Sequence, residues 1–127
     1  RVEKLPPRNV DTAVAQADLA RALNARAKFD EARALAAEAL SIREEKLPVG
    51  HWSRFEAQSL LGEALAGQGK LAEAEALLLP AYEGLRASAA VSPWKKRVAR
   101  ERIVRLYEAW GRPEAAAAWR AKETAPL

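Results

Sequence analysis

One six-residue phrase occurs three times in this chain at a constant spacing, and nothing else in the sequence limits the possible folds so strongly. Gly69-Lys70-Leu71-Ala72-Glu73-Ala74 stands in the middle. Ala27-Lys28-Phe29-Asp30-Glu31-Ala32 lies 42 residues before it, and Gly111-Arg112-Pro113-Glu114-Ala115-Ala116 lies 42 residues after it. Each copy sets a small residue, a cation, a bulky or ring residue and an acid beside an alanine. A period of this size is the signature of stacked helical units, none of which can cover its own apolar face alone. Shifted by the same 42, Arg1–Pro6 falls on Arg43–Pro48 and matches at five of six places. Residues 1–10 are therefore expected to be the tail of a truncated preceding repeat. The domain proper is expected over 11–127, with repeats at about 11–50, 51–92 and 93–124.

Within each period the pattern is helix, short turn, helix. Asp11 is placed to cap a helix over about 12–26, with Ala15, Leu19, Ala22 and Leu23 at helical spacing. A second helix over about 29–45 would bury Ala32, Leu35, Ala39, Leu40 and Ile42, before Pro48 and Gly50 break it. Ser53 and Glu56 have capping-box spacing and predict a third helix over 54–67, closed by Gly67 and Gly69. The fourth, 71–88, contains Pro80, which is expected to bend or interrupt it near Ala76–Leu79. Ser92-Pro93 opens a fifth helix to about 110. The sixth runs over 113–122, with Trp119 in the core seat of Leu35 and Leu77 and with Arg120, Lys122 and Glu123 facing solvent as an end cap. No stretch reads as a strand.

The period also aligns seats of matching size. Leu19, Leu61 and Ile103 coincide, as do Leu23, Leu65 and Tyr107, and Ala32, Ala74 and Ala116. Bulky seats fill space between helices and small ones admit close backbones, which is what antiparallel pairs joined by short turns need. The Leu-Ala/Gly-x-x-Leu pattern of the first helices and the Gly-x-Phe/Leu-x-Glu-Ala pattern opening the second ones resemble the tetratricopeptide (TPR) repeats. The 42-residue period and the His51 loop resemble the kinesin-light-chain subtype. Leu106–Pro113 and Ala64–Lys70 are similar to TPR regions attached to bacterial eukaryotic-type Ser/Thr protein kinases. The resemblance covers about residues 11–124. It implies an all-α right-handed solenoid of three helix pairs that binds a peptide or protein on the concave face of its first helices.

Carried over position by position, that face would present Val14, Ala17, Asp18, Arg21 and Asn24, then Glu56, Ser59, Leu60 and Glu63, then Val98, Glu101, Arg102 and Arg105. The family's two-carboxylate clamp needs particular lysines and asparagines, and Ala17, Asp18 and Arg21 stand at the first-repeat places instead. The alternative is that this face is merely solvated. The positive charge is uneven: residues 95–127 carry nine basic and four acidic side chains. Lys95, Lys96, Arg97, Arg100, Arg102 and Arg105 either meet an acidic partner or are neutralised by Glu101, Glu108 and acids of the adjoining repeat. No stacking aromatics are interleaved with them, so nucleic acid is not expected. Trp52 and Trp94, one period apart, either close a loop over the preceding helix end or anchor a protein contact. Trp110 either covers the end of the stack or contacts a neighbour.

Catalysis is not expected. The chain has no cysteine and a single histidine, so thiolate chemistry and the usual metal spacings are excluded. No nucleophile elbow, phosphate loop or kinase catalytic pattern occurs. No cofactor and no membrane span are expected, and the missing cysteine suits the cytoplasm. The leading expectation is a protein-interaction module in a larger bacterial signalling protein. The rival is a structural array that self-associates through an exposed N-terminal repeat edge.

Overall fold

The computed structural model describes residues 7–122 and contains, among them, six α-helices and no strand. These are α1 (Val10–Ala25), α2 (Phe29–Lys46), α3 (Trp52–Gly67), α4 (Leu71–Ala87), α5 (Pro93–Ala109) and α6 (Pro113–Ala121). The matched tail at 1–6 and the solvent-facing seat of Glu123 lie outside the described residues. Consecutive helices pack in antiparallel pairs, α1 on α2, α3 on α4 and α5 on α6. The first helices α1, α3 and α5 also touch one another in series, which the second helices do not do to the same extent. The stack is therefore shorter along its first-helix layer, and that layer lines the inner face of an α-solenoid.

Each pair turns on the same device. Lys28 N–H donates to the Leu23 carbonyl, Lys70 N–H to Leu65 and Arg112 N–H to Tyr107, at 2.8, 2.9 and 2.9 Å. One residue earlier, Ala27, Gly69 and Gly111 donate to Asn24, Ala66 and Glu108 and adopt positive φ. These are three Schellman turns, which satisfy the orphan carbonyls at each first-helix end. Two use glycine as the left-handed residue, whereas Ala27 takes φ 59° with a Cβ.

Three expectations about helix ends are corrected. Asn9, not Asp11, caps α1, accepting from Thr12 N–H at 2.9 Å, so the helix starts two residues earlier. His51, not Ser53, caps α3, its Nδ1 accepting from Ser53 N–H at 3.1 Å. Glu56 is drawn instead into ion pairs, as described below. Ser92 occupies the cap position of α5 without a side-chain capping bond, while Pro93 takes the first helical place as expected.

Pro80 does not interrupt α4, which runs on from Leu71 to Ala87. The helix extends about two turns on either side of the proline, and enough ladder bonds remain to carry it across one missing donor. The outward-facing Pro80 ring stands clear of the core.

Two clusters fill the space between layers. The N-terminal one is built of Ala13, Ala17, Ala20, Ala36, Ala39 and Ala57, with Ile42 and Leu60 the large members. The C-terminal one is bulkier, with Leu78, Tyr82, Leu85, Ile103, Leu106 and Tyr107 at its centre. Trp119 packs edge-on against Tyr82 with ring centroids 5.3 Å apart, in the expected seat. Tyr107 donates to Glu75 at 2.7 Å, and burial together with that carboxylate pushes its phenol up to about 12. The expected buried face of α1 is corrected: Ala15 and Ala22 are exposed and Leu19 is half exposed, while Ala13, Ala17, Ala20 and Asn24 face inward. Their period mates Ala57, Ala64, Ala99, Ile103 and Leu106 are fully buried because α2 and α4 cover them. No helix precedes α1 in the described residues to do the same.

Candidate functional site

The inner face is held together by a simple register. Asn24 reaches Glu63, Glu56 reaches Lys95 and Glu63 reaches Arg102, each pair separated by 39 residues. That offset is one period less three residues, or roughly one helical turn back. Adjacent first helices therefore meet through side chains set one turn out of step, and polar groups on this face pair with the next repeat.

Two carboxylates serve as the junctions. Glu56 on α3 accepts from Arg21 on α1 (3.3 Å), from Arg43 on α2 (3.1 Å) and from Lys95 on α5 (3.3 Å). Arg43 is buried and also donates to the Ser53 carbonyl at 2.7 Å. Deleting Glu56 would strand that buried cation, a change that costs ~3–5 kcal/mol where no other anion is near. Glu63, one period above Arg21, accepts from Asn24 and Arg102, both at 3.1 Å. Arg102 also donates to Ser59 Oγ at 2.9 Å. Its burial pulls the guanidinium below its ordinary range, and Glu63 pulls it back up. An arginine still stays charged there.

The expected binding residues thus divide into three groups. Arg21, Asn24, Glu56, Ser59, Glu63 and Arg102 come together as a hydrogen-bonded floor, within which Asn24, Ser59 and Arg102 are buried. Asn24 gives its two amide hydrogens to the Leu60 carbonyl and to Glu63, leaving Oδ1 without a partner. Val14 (45% exposed), Val98 and Arg105 stand above the floor, toward solvent. Arg105 borders both the inner face and a notch of about 320 Å³ at the α5–α6 end. Glu101 borders that notch with Arg100, Val104, Glu108 and Arg120. Its period mates Ala17 and Ser59 are covered by the next first helix, and no such helix follows α5 among the described residues.

The basic stretch on α5 is dispersed around the helix and does not form one patch. Lys95 and Arg102 are engaged by Glu56 and Glu63, acids of the adjoining repeat. Arg105 is different, with a side chain 61% exposed and its nearest carboxylate oxygen, on Glu63, 4.0 Å away. That is too far for a hydrogen bond.

The tryptophans also separate. Trp52 is stacked beside His51, with the Lys95 ammonium 4.6 Å from its ring centre, and packs on the C-terminal core. Trp94, one period on, is 51% exposed and borders the inner face with Val98, Arg21 and Glu56. Trp110 stacks on Tyr107 and carries the Arg112 guanidinium 3.8 Å from its ring centre. Among the described residues no group of three or more His, Cys, Asp or Glu could hold a metal. No helix there is long and apolar enough to cross a membrane.

Sequence reasoning did not single out Lys95 and Trp94 as inner-face residues, nor Phe29, Ala66 and Ala109, which line a recess beside Arg105. The 39-residue offset is the signal that could have found the Glu56–Lys95 and Glu63–Arg102 pairs. No curated protein and no solved structure matches the chain. Residues 12–53, one complete period spanning α1, α2 and the entry to α3, match the family model described as tetratricopeptide repeat. With its three helix pairs stacked in series, the chain folds as a tetratricopeptide-type α-solenoid.

Proposed function

We propose that the inner face of α1, α3 and α5 binds a peptide or a segment of a partner protein. Tetratricopeptide repeats generally mediate protein–protein interaction, and one feature of this face supports that use here. Its floor is already hydrogen-bonded, yet Trp94 and Arg105 project from it into solvent. Tryptophan and arginine over a rigid floor are the side chains that most often dominate a protein contact. The floor and rim favour an acidic partner: Arg21, Arg43, Lys95, Arg102 and Arg105 face three carboxylates, Asp18, Glu56 and Glu63. The 42-residue period and the Leu106–Pro113 phrase support a place in a larger bacterial signalling protein, as a regulatory or scaffolding segment with no chemistry of its own.

Peptides selected against the chain from a displayed random library test this reading. Trp94→Ala should weaken the selected binders about tenfold or more. Binders indifferent to Trp94→Ala and to Val98→Asp would remove the inner face as the site.

A second reading, self-association, is favoured by the apolar side chains of α1 that lie in the open, Val10, Val14 and Leu19. Sedimentation over a concentration range should then show association that Leu19→Asp abolishes. A monomer throughout would retire it.

A further inference from the structure

We infer that the recess between the C-terminal ends of α3 and α5 seats one aliphatic side chain of the bound segment, with a carboxylate beside it paired to Arg105. This rests on the inner-face reading above and names the chemistry that the face selects.

The recess measures about 200 Å³. It is smaller than the ~300–1,000 Å³ of small-molecule sites and several times the ~30 Å³ of a water molecule. One side chain is the natural occupant. Its lining is divided: Phe29, Ala66, Leu106 and Ala109 form an apolar side, and Asn24, Glu63, Arg102 and Arg105 form a polar one. The Phe29 ring forms a wall there because Gly67 lets it approach: a Cβ at Gly67 would meet the ring carbons at 2.4 Å. Leu106 is buried in the C-terminal core, so this wall is fixed, and Ala109 on the open side leaves the space unfilled. The apolar side accepts a branched aliphatic group, while the charged groups of the other side set what lies next to it.

The mouth sets the charge of the neighbouring residue. Glu63 is already shared between Asn24 and Arg102, and Arg102 is buried against Ser59. Arg105 alone among these groups is exposed and lacks a hydrogen-bonded anion in the structure. Two guanidinium groups against one carboxylate leave the mouth one charge positive. A carboxylate next to the seated side chain completes the balance and can take the arginine fork in two parallel bonds.

The displayed library of short peptides again supplies the probe, with selected peptides titrated against the wild-type chain, Ala109→Leu and Arg105→Gln. Ala109 is exposed on the last turn of α5, so leucine there keeps a good helix former while filling the recess. Binders should be enriched for an acid adjacent to Leu, Ile or Val, and each substitution should weaken them about tenfold or more. Changing the peptide acid to its amide should cost as much as Arg105→Gln, and the two losses should not add.

Binders indifferent to both substitutions overturn the seat. If Trp94→Ala still weakens those binders, the inner face stands without this seat. If it does not, both readings fall, as they do if the library yields no binder.

Discussion

The two cores of this molecule share a period and differ in what fills it. Between α1, α2 and α3 the buried seats are held mainly by alanine, with Ile42 and Leu60 the large exceptions. Between α4, α5 and α6 the corresponding space holds Leu78, Tyr82, Ile103, Leu106 and Tyr107. Alanine lets helix backbones approach closely but removes little apolar surface from water, while each large aliphatic side chain contributes about 1.5–3 kcal/mol when buried. A solenoid is stabilised by each repeat and by its junction with the next, so the difference does not average out along the stack. The C-terminal half is therefore expected to be the firmer one. It carries Arg105, Ala109 and Trp94, and a rigid platform costs less to order when a partner binds.

The largest effect expected from this contrast is at Ile103. The side chain is completely buried in the bulky core and sits in the same seat as Leu19 and Leu61. Ile103→Ala should cost about 2–5 kcal/mol in denaturant unfolding, because neighbours fixed by Tyr82 and Tyr107 cannot collapse into the void. A cost below ~1 kcal/mol would mean that the C-terminal core is as loosely filled as the other.

A smaller effect, of opposite sign, is expected at the α1–α2 turn. Ala27 holds the left-handed conformation that glycine holds at Gly69 and Gly111. A Cβ in that conformation costs ~1–2 kcal/mol, partly offset by the greater freedom of glycine in the unfolded chain. Ala27→Gly should therefore stabilise the chain by up to about 1 kcal/mol, raising the melting temperature. Loss of stability would show that the N-terminal turn is not a weak point of the first repeat.

Most of the architecture was legible because it follows from recurrence. The three turns, the pairing of helices and the core seats of Ile103, Tyr107 and Trp119 all come from aligning residues 42 apart. What failed did so for local or relational reasons. His51 is an unusual cap, and its imidazole took a place that Ser53 with Glu56 fits by pattern. At Pro80 the interruption, one of the two expected outcomes, does not occur, because the helix on both sides carries it across the missing donor. The floor residues were expected as separate positions and not as a set of pairs, and Glu101, expected beside them, borders the α5–α6 notch. That Asn24 and Arg102 both reach Glu63 depends on adjacent first helices being one turn out of step, and a position-by-position transfer does not contain that offset.

Leu19 makes the sharpest test of the comparison because its seat is constant while its surroundings change. In the second repeat Leu61 is partly covered and touches both cores, and in the third Ile103 is sealed. Leu19 itself is half exposed, flanked by the open Ala15 and Ala22, with no helix over it among the described residues. Truncation to alanine should follow that order, greatest at Ile103, intermediate at Leu61 and within ~0.5 kcal/mol of neutral at Leu19, as for a surface substitution. Seat identity would then matter only through the helix that covers it, which is the behaviour of a stack with nearest-neighbour coupling. If Leu19→Ala costs as much as Leu61→Ala, something covers α1 in solution. A matching loss of concentration-dependent association would identify a second copy as the cover.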